Sequence, residues 1–475
     1  MTHSHQLPYA ELSRRCFLVA SGVGLAGLQF GTPVPTRASP PATVRPATAR
    51  SVILFFLCGG TSHVDTWDMK PDAPAQYRGE FQPIATSAPG VRLCEHLPML
   101  SQQAHHLAIV NSLGPSVATN DHHAGYYYNL TGHVPDRTFV TQGNNRRPYP
   151  DDWPYMGCVV AANRPPHPYL PNAISLPHRP SRLPYTRPGQ FAGRIGVEND
   201  PIYVNGNAER PLEFRAPALS LHNSLSGSRL QDRQQLLTAL DRSRGELDRQ
   251  ASVRTYSQHQ ERAFSLLASA RTAQAFDVAR EPLPVRERYG QTINGMSLLV
   301  ARRLAEAEVP FITVFWKGRF TRQSGCRNAG GFDTHWNNFS CLRDHLLPDF
   351  DRGFSALIAD LNERGMLDST LLLVTSEMGR KPRVGDRRSG GDAGTGRDHW
   401  THCMSVLMAG GGIHGGQHFG TSDRFGAYPD DRPVTPADIT KTVYHATGVD
   451  NLEAHDEQGR PYNLLAEGSP ITDLF

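Results

Sequence analysis

VILFFLC, spanning Val52–Cys58, is an unbroken apolar run that stops at Gly59-Gly60. A strand with one wet face alternates polar and apolar residues, whereas an unbroken run fits a strand covered on both faces, as in a parallel sheet. Similar runs recur: LAIVNSL from Leu107, VPFITVFW from Val309, TLLLVTS from Thr370 and CMSVLMAGG from Cys403. Between them the period changes. From Ser340 to Gly365, residues Leu342, Leu346, Phe350, Phe354, Leu357, Ile358 and Leu361 follow a helical spacing, with Pro348 marking a kink and Gly365 a stop. Apolar strands alternating with amphipathic helices predict a doubly wound α/β fold, a mostly parallel sheet flanked by helices. In such sheets ligands bind beyond the carboxyl ends of the strands.

The bulk numbers agree with a soluble globular chain. It has 475 residues, 39% hydrophobic and 20% charged, room for one large domain or two to three ordinary ones. A net charge of +3, from 48 basic and 45 acidic residues, gives no electrostatic case for a nucleic-acid partner. The 21 histidines are more informative, because imidazole is a common metal ligand and proton carrier.

At the N-terminus SRRCFL, with Arg14 and Arg15 adjacent, precedes the apolar run CFLVASGVGLAGLQFG and a small-residue site near Ala38. This resembles a twin-arginine signal and predicts export to the periplasm or medium. A retained anchor helix is the alternative. No later segment is long and apolar enough to span a membrane. The expected layout is a signal over 1–38, a linker over 39–50 and one domain over 51–475. That domain would carry an irregular Pro-, Arg- and Tyr-rich excursion over 136–194 and a helical insertion over 228–280. Of the seven cysteines, Cys58 and Cys403 read as core residues and Cys326 with Cys341 as a candidate loop-closing pair.

Candidate ligands gather where the predicted strands end. GGTSHVDTWD follows the first and contains His63 and Asp65; NDHHAGYYYNLTG follows the second and contains Asp121, His122 and His123. GGFDTHWNNF holds Asp333 and His335, SEMGR holds Glu377 and Arg380, and GRDHWTH holds Asp398, His399 and His402. Mixed carboxylate and imidazole donors suit a divalent ion such as Zn, Mn or Ca. Such an ion polarises a phosphoryl or sulfuryl oxygen in a hydrolase. Each residue also has a structural alternative: Asp333 in an Asx-turn, Glu377 paired with Arg380, Asp398 as a helix cap.

Taken together, GGTSHVDTWDMKP, NLTG, GGFDTHWNNF, TSEMGRKP, GRDHW and AGGGIHGG, with the twin-arginine leader, resemble domain-of-unknown-function family 1501 of the alkaline phosphatase/sulfatase superfamily. The resemblance runs from about Ser51 to Phe475. It implies an alkaline phosphatase-like sheet with one or two metals at the strand ends, held by Asp333, His335, Glu377 and His399, with His63, Asp65, Asp121 and His122 completing the site. It implies Arg380 as an oxyanion clamp and His122 or His123 as general base. Two departures stand out. Cys58, Gly59 and Gly60 fill the strand end where the superfamily has a metal-binding aspartate. Counting back ten residues from Gly132, where a sulfatase nucleophile would lie, reaches His122, leaving Thr61, Ser62 and Thr119 as nearby hydroxyls. The expected function is an exported, metal-dependent hydrolase of small-molecule or polysaccharide esters of phosphate or sulfate. The alternative is an inactive extracytoplasmic scaffold or binding protein on the same fold.

Overall fold

Eight strands build the central sheet: β1 (Ser51–Phe56), β2 (Leu107–Leu113), β3 (Ala173–Leu176), β4 (Ile202–Tyr203), β5 (Phe311–Phe315), β6 (Thr370–Thr375), β7 (Met404–Ala409) and β8 (Gln417–Phe419). Their order is β8-β2-β7-β6-β1-β5-β3-β4. All neighbours are parallel except β7, which runs antiparallel to both β6 and β2. The computed structural model describes residues 47–115, 117, 119–182, 184–219, 270–318, 331–385, 396–456 and 458–475. The expected signal and most of the expected helical insertion lie outside them.

β1 shows why VILFFLC decides the architecture. Successive strand residues point to opposite faces. Phe55 stacks on Phe350, with ring centroids 5.8 Å apart, and lies against Phe354 of the helix Leu347–Glu363. Its neighbour Phe56 packs on Tyr126 at 4.7 Å, a residue of the helix His122–Thr131. Both faces are therefore covered, and each buried phenylalanine contributes about 1.5–3 kcal/mol. The mostly parallel sheet with helices on its faces is the doubly wound class predicted. Pro348 lies in the first turn of Leu347–Glu363, and a π-helical turn, Leu342–Leu346, replaces the predicted kink just before it.

One expectation is corrected. Residues 136–194 are not a wholly irregular excursion, because they include the buried helix Met156–Ala162 and strand β3, which pairs with β5. β3 is too short for a pattern argument and sits between prolines, which hid it. The linker expected up to residue 50 is also packed at its end: Ala49 is buried and its N–H donates to the Ala446 carbonyl. Cys58, Cys94, Cys158 and Cys403 are free and buried, and Cys341 is disulfide-bonded; Cys326, the partner expected for it, lies outside the described residues. Among the described residues no helix is long and apolar enough to cross a membrane.

Candidate metal centre

The carboxyl ends of β1, β5 and β6 lie side by side, and β7 runs the other way, so the residues that enter β7 reach the same edge. Glu377 follows β6 and Gly59 follows β1; the Gly59 N–H donates to both Glu377 carboxylate oxygens, at 2.8 and 3.0 Å. The chain after β5 returns at Phe332, whose N–H bonds the Cys58 carbonyl at 3.0 Å and brings Asp333 over the end of β1. Only glycine fits there. Gly59 has φ +116°, and a Cβ on it would lie 2.3 Å from the Asp333 nitrogen. The two-residue pairing of Gly379–Arg380 with His399–Trp400 sets Arg380 opposite His399. Asp121 caps the helix that begins at His122, accepting from the N–H groups of His123 and Ala124.

Three imidazoles converge on Asp333. Nε2 of His335 and of His399 lie 3.0 and 3.1 Å from Asp333 Oδ1, and Nε2 of His122 lies 3.5 Å from Oδ2. His335 and His399 also face each other, Nε2 to Nε2, at 3.0 Å. The outer nitrogens of His122 and His399 are hydrogen-bonded, and that of His335 lies near a carboxylate without making a hydrogen bond. His122 Nδ1 lies 2.9 Å from Glu377 Oε1, His335 Nδ1 2.9 Å from Asp398 Oδ1, and His399 Nδ1 2.9 Å from the Asn120 carbonyl. An imidazole that donates from Nδ1 presents a lone pair at Nε2, the orientation that carboxylates and carbonyls impose on metal-binding histidines. Lone pairs from these rings and a carboxylate thus meet at one point, a donor set that suits a cation. Ligand atoms of His122, Asp333 and His399 lie within 4.8 Å of one another.

The electrostatics make the same demand for positive charge. Burial pushes the His122 and His335 rings down, but carboxylates outweigh it and both end above the usual imidazole range: Asp333 and Glu377 for His122, Asp333 and Asp398 for His335. Burial dominates at His399, which ends below that range although Asp333 pulls it up. Burial pushes the Asp333 carboxyl up, and Arg380 with the three imidazoles holds it far below the carboxylate range instead. Burial also raises Glu377, and the His122 bond brings it down overall.

Several expected site residues stand elsewhere. Asp65 is closed off by Arg397, at 2.7 and 2.8 Å, and by Ser62 and Asn338. His63 bonds the Gly426 carbonyl through Nε2 at 2.8 Å. Asp121 is the helix cap, not a ligand. Glu377 sits behind His122 and orients it. Arg380 does not pair with Glu377, nor does it face open space: its guanidinium, fully buried, holds Asp333 and the carbonyls of Gly59 and Gly60. His122 turns its Nε2 into the cluster, 3.5 Å from Asp333 Oδ2. His123 turns away to the Arg146 carbonyl, and burial takes its ring down to about 4. Ser62 donates to Asp65, and neither Thr61 nor Thr119 is among the residues that line the cavity over the cluster.

That cavity has a volume of about 680 Å³ and is lined by Cys58, Gly59, His122, Asp333 and His399 on the cluster side, with Arg187 and Lys317 among its other walls. Burial first, and Glu377 second, push the Cys58 thiol up to about 12, so it stays protonated at neutral pH. Asp398 and Arg187 are functional candidates that sequence reasoning left in the background. Asp398 had a signal, a carboxylate adjoining His399 in GRDHW. Arg187 had none, since it lies in the segment read as irregular.

The family model "Protein of unknown function (DUF1501)" matches residues 49–475, nearly the whole described domain. The chain belongs to the DUF1501 family. No curated protein sequence matches this DUF1501 chain. Solved structures similar to it include Ps i-CgsB in complex with k-i-k-neocarrahexaose, at TM-score 0.41 and 12% identity over 88% of this chain and 74% of that one. The PsFucS1 sulfatase from Pseudoalteromonas sp. gives TM-score 0.37 and 12% identity over 84% and 67%. A mutant of the alkaline phosphatase PafA gives TM-score 0.42 and 10% identity over 92% and 100%. The chemistry of the DUF1501 site is therefore taken from its own residues.

Proposed function

We propose that this DUF1501 protein is an exported, metal-dependent hydrolase of phosphate or sulfate esters. The observation that supports it most is the meeting of three Nε2 atoms and the Asp333 carboxylate beneath an open cavity, with the outer nitrogens of His122 and His399 held by acceptors. The donor set fits a divalent transition ion, Zn or Mn ahead of Ca, because imidazole nitrogen is a poor ligand for hard cations. Asp333, His122 and His399 would hold the ion, with His335 beside them. Bound there, the ion would polarise an ester oxygen.

The chain's own residues do the rest. Glu377 and the Asn120 carbonyl fix the tautomers of His122 and His399, and Asp398 stands beside His335. Arg380 fixes the Asp333 carboxylate. Buried walls reduce the water around the reacting group and strengthen each charge contact. The twin-arginine leader and the motif resemblance add support for export and for the ester class.

The test is a panel of aryl phosphate, aryl phosphodiester and aryl sulfate substrates, each assayed with Zn, Mn or Ca added. Turnover of one ester class, abolished by chelation and restored by one ion, is expected. No turnover in any combination, with the protein folded and loaded, would instead favour a binding protein built on this scaffold. The altered end of β1 and the unassigned nucleophile favour that second reading.

A further inference from the structure

Buried polar atoms without partners are rare in folded proteins, because each costs about 1–3 kcal/mol. Four of those in this chain belong to residues that line the cavity over the metal centre: the indole Nε1 of Trp316, whose ring packs on Phe55 and Phe332, and a set of three, Arg187 Nη1, His178 Nδ1 and Asn144 Oδ1. None of the three touches the Asp333 cluster by a hydrogen bond, so their need is not met by the site already described.

Arg187 is the most informative. Its guanidinium lies over the Tyr126 ring, 4.8 Å from the centroid, which fixes the plane of the fork. Its charge is felt at His122 and Glu377, so it stands within electrostatic reach of the metal centre. Yet it makes no ion pair among the described residues. Arg380, by contrast, is fully engaged with Asp333 and two carbonyls. A fixed guanidinium with a free N–H, facing a cavity beside a cation site, is suited to an anionic oxygen.

We propose that Arg187 is the residue that recognises the anionic group of the substrate, the role sequence reasoning gave to Arg380. The substrate class follows from its neighbours. Burial holds His178 neutral, with its ring taken down to about 4, and Asn144 offers a carbonyl oxygen. A neutral imidazole and an amide oxygen satisfy hydroxyls, not a second anion. The ligand that satisfies all three atoms is an anionic ester of a hydroxyl-rich alcohol, such as a sugar phosphate or sugar sulfate. This rests on the proposed metal centre only for where the ester bond lies.

The test is calorimetric titration of the metal-loaded full chain with inorganic phosphate, inorganic sulfate, a sugar phosphate and a sugar sulfate. Variants are Arg187→Met, Arg187→Lys, Asn144→Ala and, as a control away from the cavity lining, Arg179→Met. Arg187→Met is expected to weaken the preferred anion about 10–100-fold, the loss of one to two charged hydrogen bonds, with metal content unchanged. Arg187→Lys keeps the charge but not the fork, and is expected to fall between; it carries the test if the methionine variant does not fold. Asn144→Ala should weaken the sugar ester but not the inorganic anion, and Arg179→Met should leave both within about twofold of the wild type. Equal losses in Arg187→Met and Arg179→Met, unchanged binding in both Arg187 variants, or no anion binding by the wild type at millimolar concentration would overturn the proposal. Because the readout is binding, an Arg187-dependent affinity without any ester turnover would sustain this inference while rejecting the hydrolase.

Discussion

Two buried carboxylate–arginine contacts stand near each other at the sheet edge, and they have opposite fates. Asp65 meets Arg397 fork to carboxylate, and both side chains are 0% exposed. Ser62 and Asn338 fill the rest of the Asp65 oxygens, and Arg397 also reaches the carbonyls of Lys381, Pro382 and Tyr77. Nothing there is left for a ligand. Asp333 meets Arg380 by one nitrogen, keeps 25% of its side chain exposed and collects three imidazoles with inward lone pairs. The same residue types thus make a strut in one place and a receptive site in the other. What separates them is satisfaction: the first set is closed, whereas the second gathers ligand-type atoms beneath an open cavity.

The comparison breaks most visibly if the strut is not a strut. Asp65→Ala leaves the Arg397 guanidinium buried without its counter-charge, and a loss of about 3–5 kcal/mol is expected in denaturant unfolding. The folded fraction should keep its metal content. Metal loss at unchanged stability would place Asp65 in the site after all.

A smaller effect sharpens the division between ligands and the groups behind them. Both Glu377 oxygens accept, from Gly59, His122 and Ser376. Glu377→Gln keeps the shape but turns an NH₂ toward one of those donors, so His122 loses its anchor. Metal affinity is expected to fall about 10–100-fold, measured by competition with a chelating dye, while the folded spectrum is unchanged. An affinity equal to the wild type would remove Glu377 from the support of the centre.

The smallest effect is in pH. His178 is ordinarily protonated below 6.5, but burial first and Lys317 second take it down to about 4 in the folded state. As pH falls, the unfolded chain takes up this proton first, so native stability declines between about 6.5 and 4. His178→Gln should flatten that part of a stability-versus-pH curve. A curve as steep as the wild type's would show that His178 is not buried neutral.

Much of the fold was legible because burial on both faces writes itself as unbroken apolar runs. All five such runs are strands of the sheet, and the irregularity expected at Pro348 lies just before it, at Leu342–Leu346. The strands β3, β4 and β8 were not legible, since each has four residues or fewer and takes its place from its neighbours. The site was legible by region and not by role. Asp333, His335 and His399 do meet, whereas Glu377 reaches them only through His122. Arg397, however, lies 332 positions from Asp65, and no local pattern says that it will take that carboxylate. Which nitrogen of His122 faces inward is set by Glu377, 255 positions away, a contact that no local pattern announces.

The most direct test of the central claim is the metal content of the purified chain, compared between the wild type and His122→Ala/His399→Ala prepared side by side. Retained divalent metal in the wild type and its loss from a folded double variant is the result expected here. Equal metal in both, or a wild type that takes up no divalent ion when one is supplied, would contradict it.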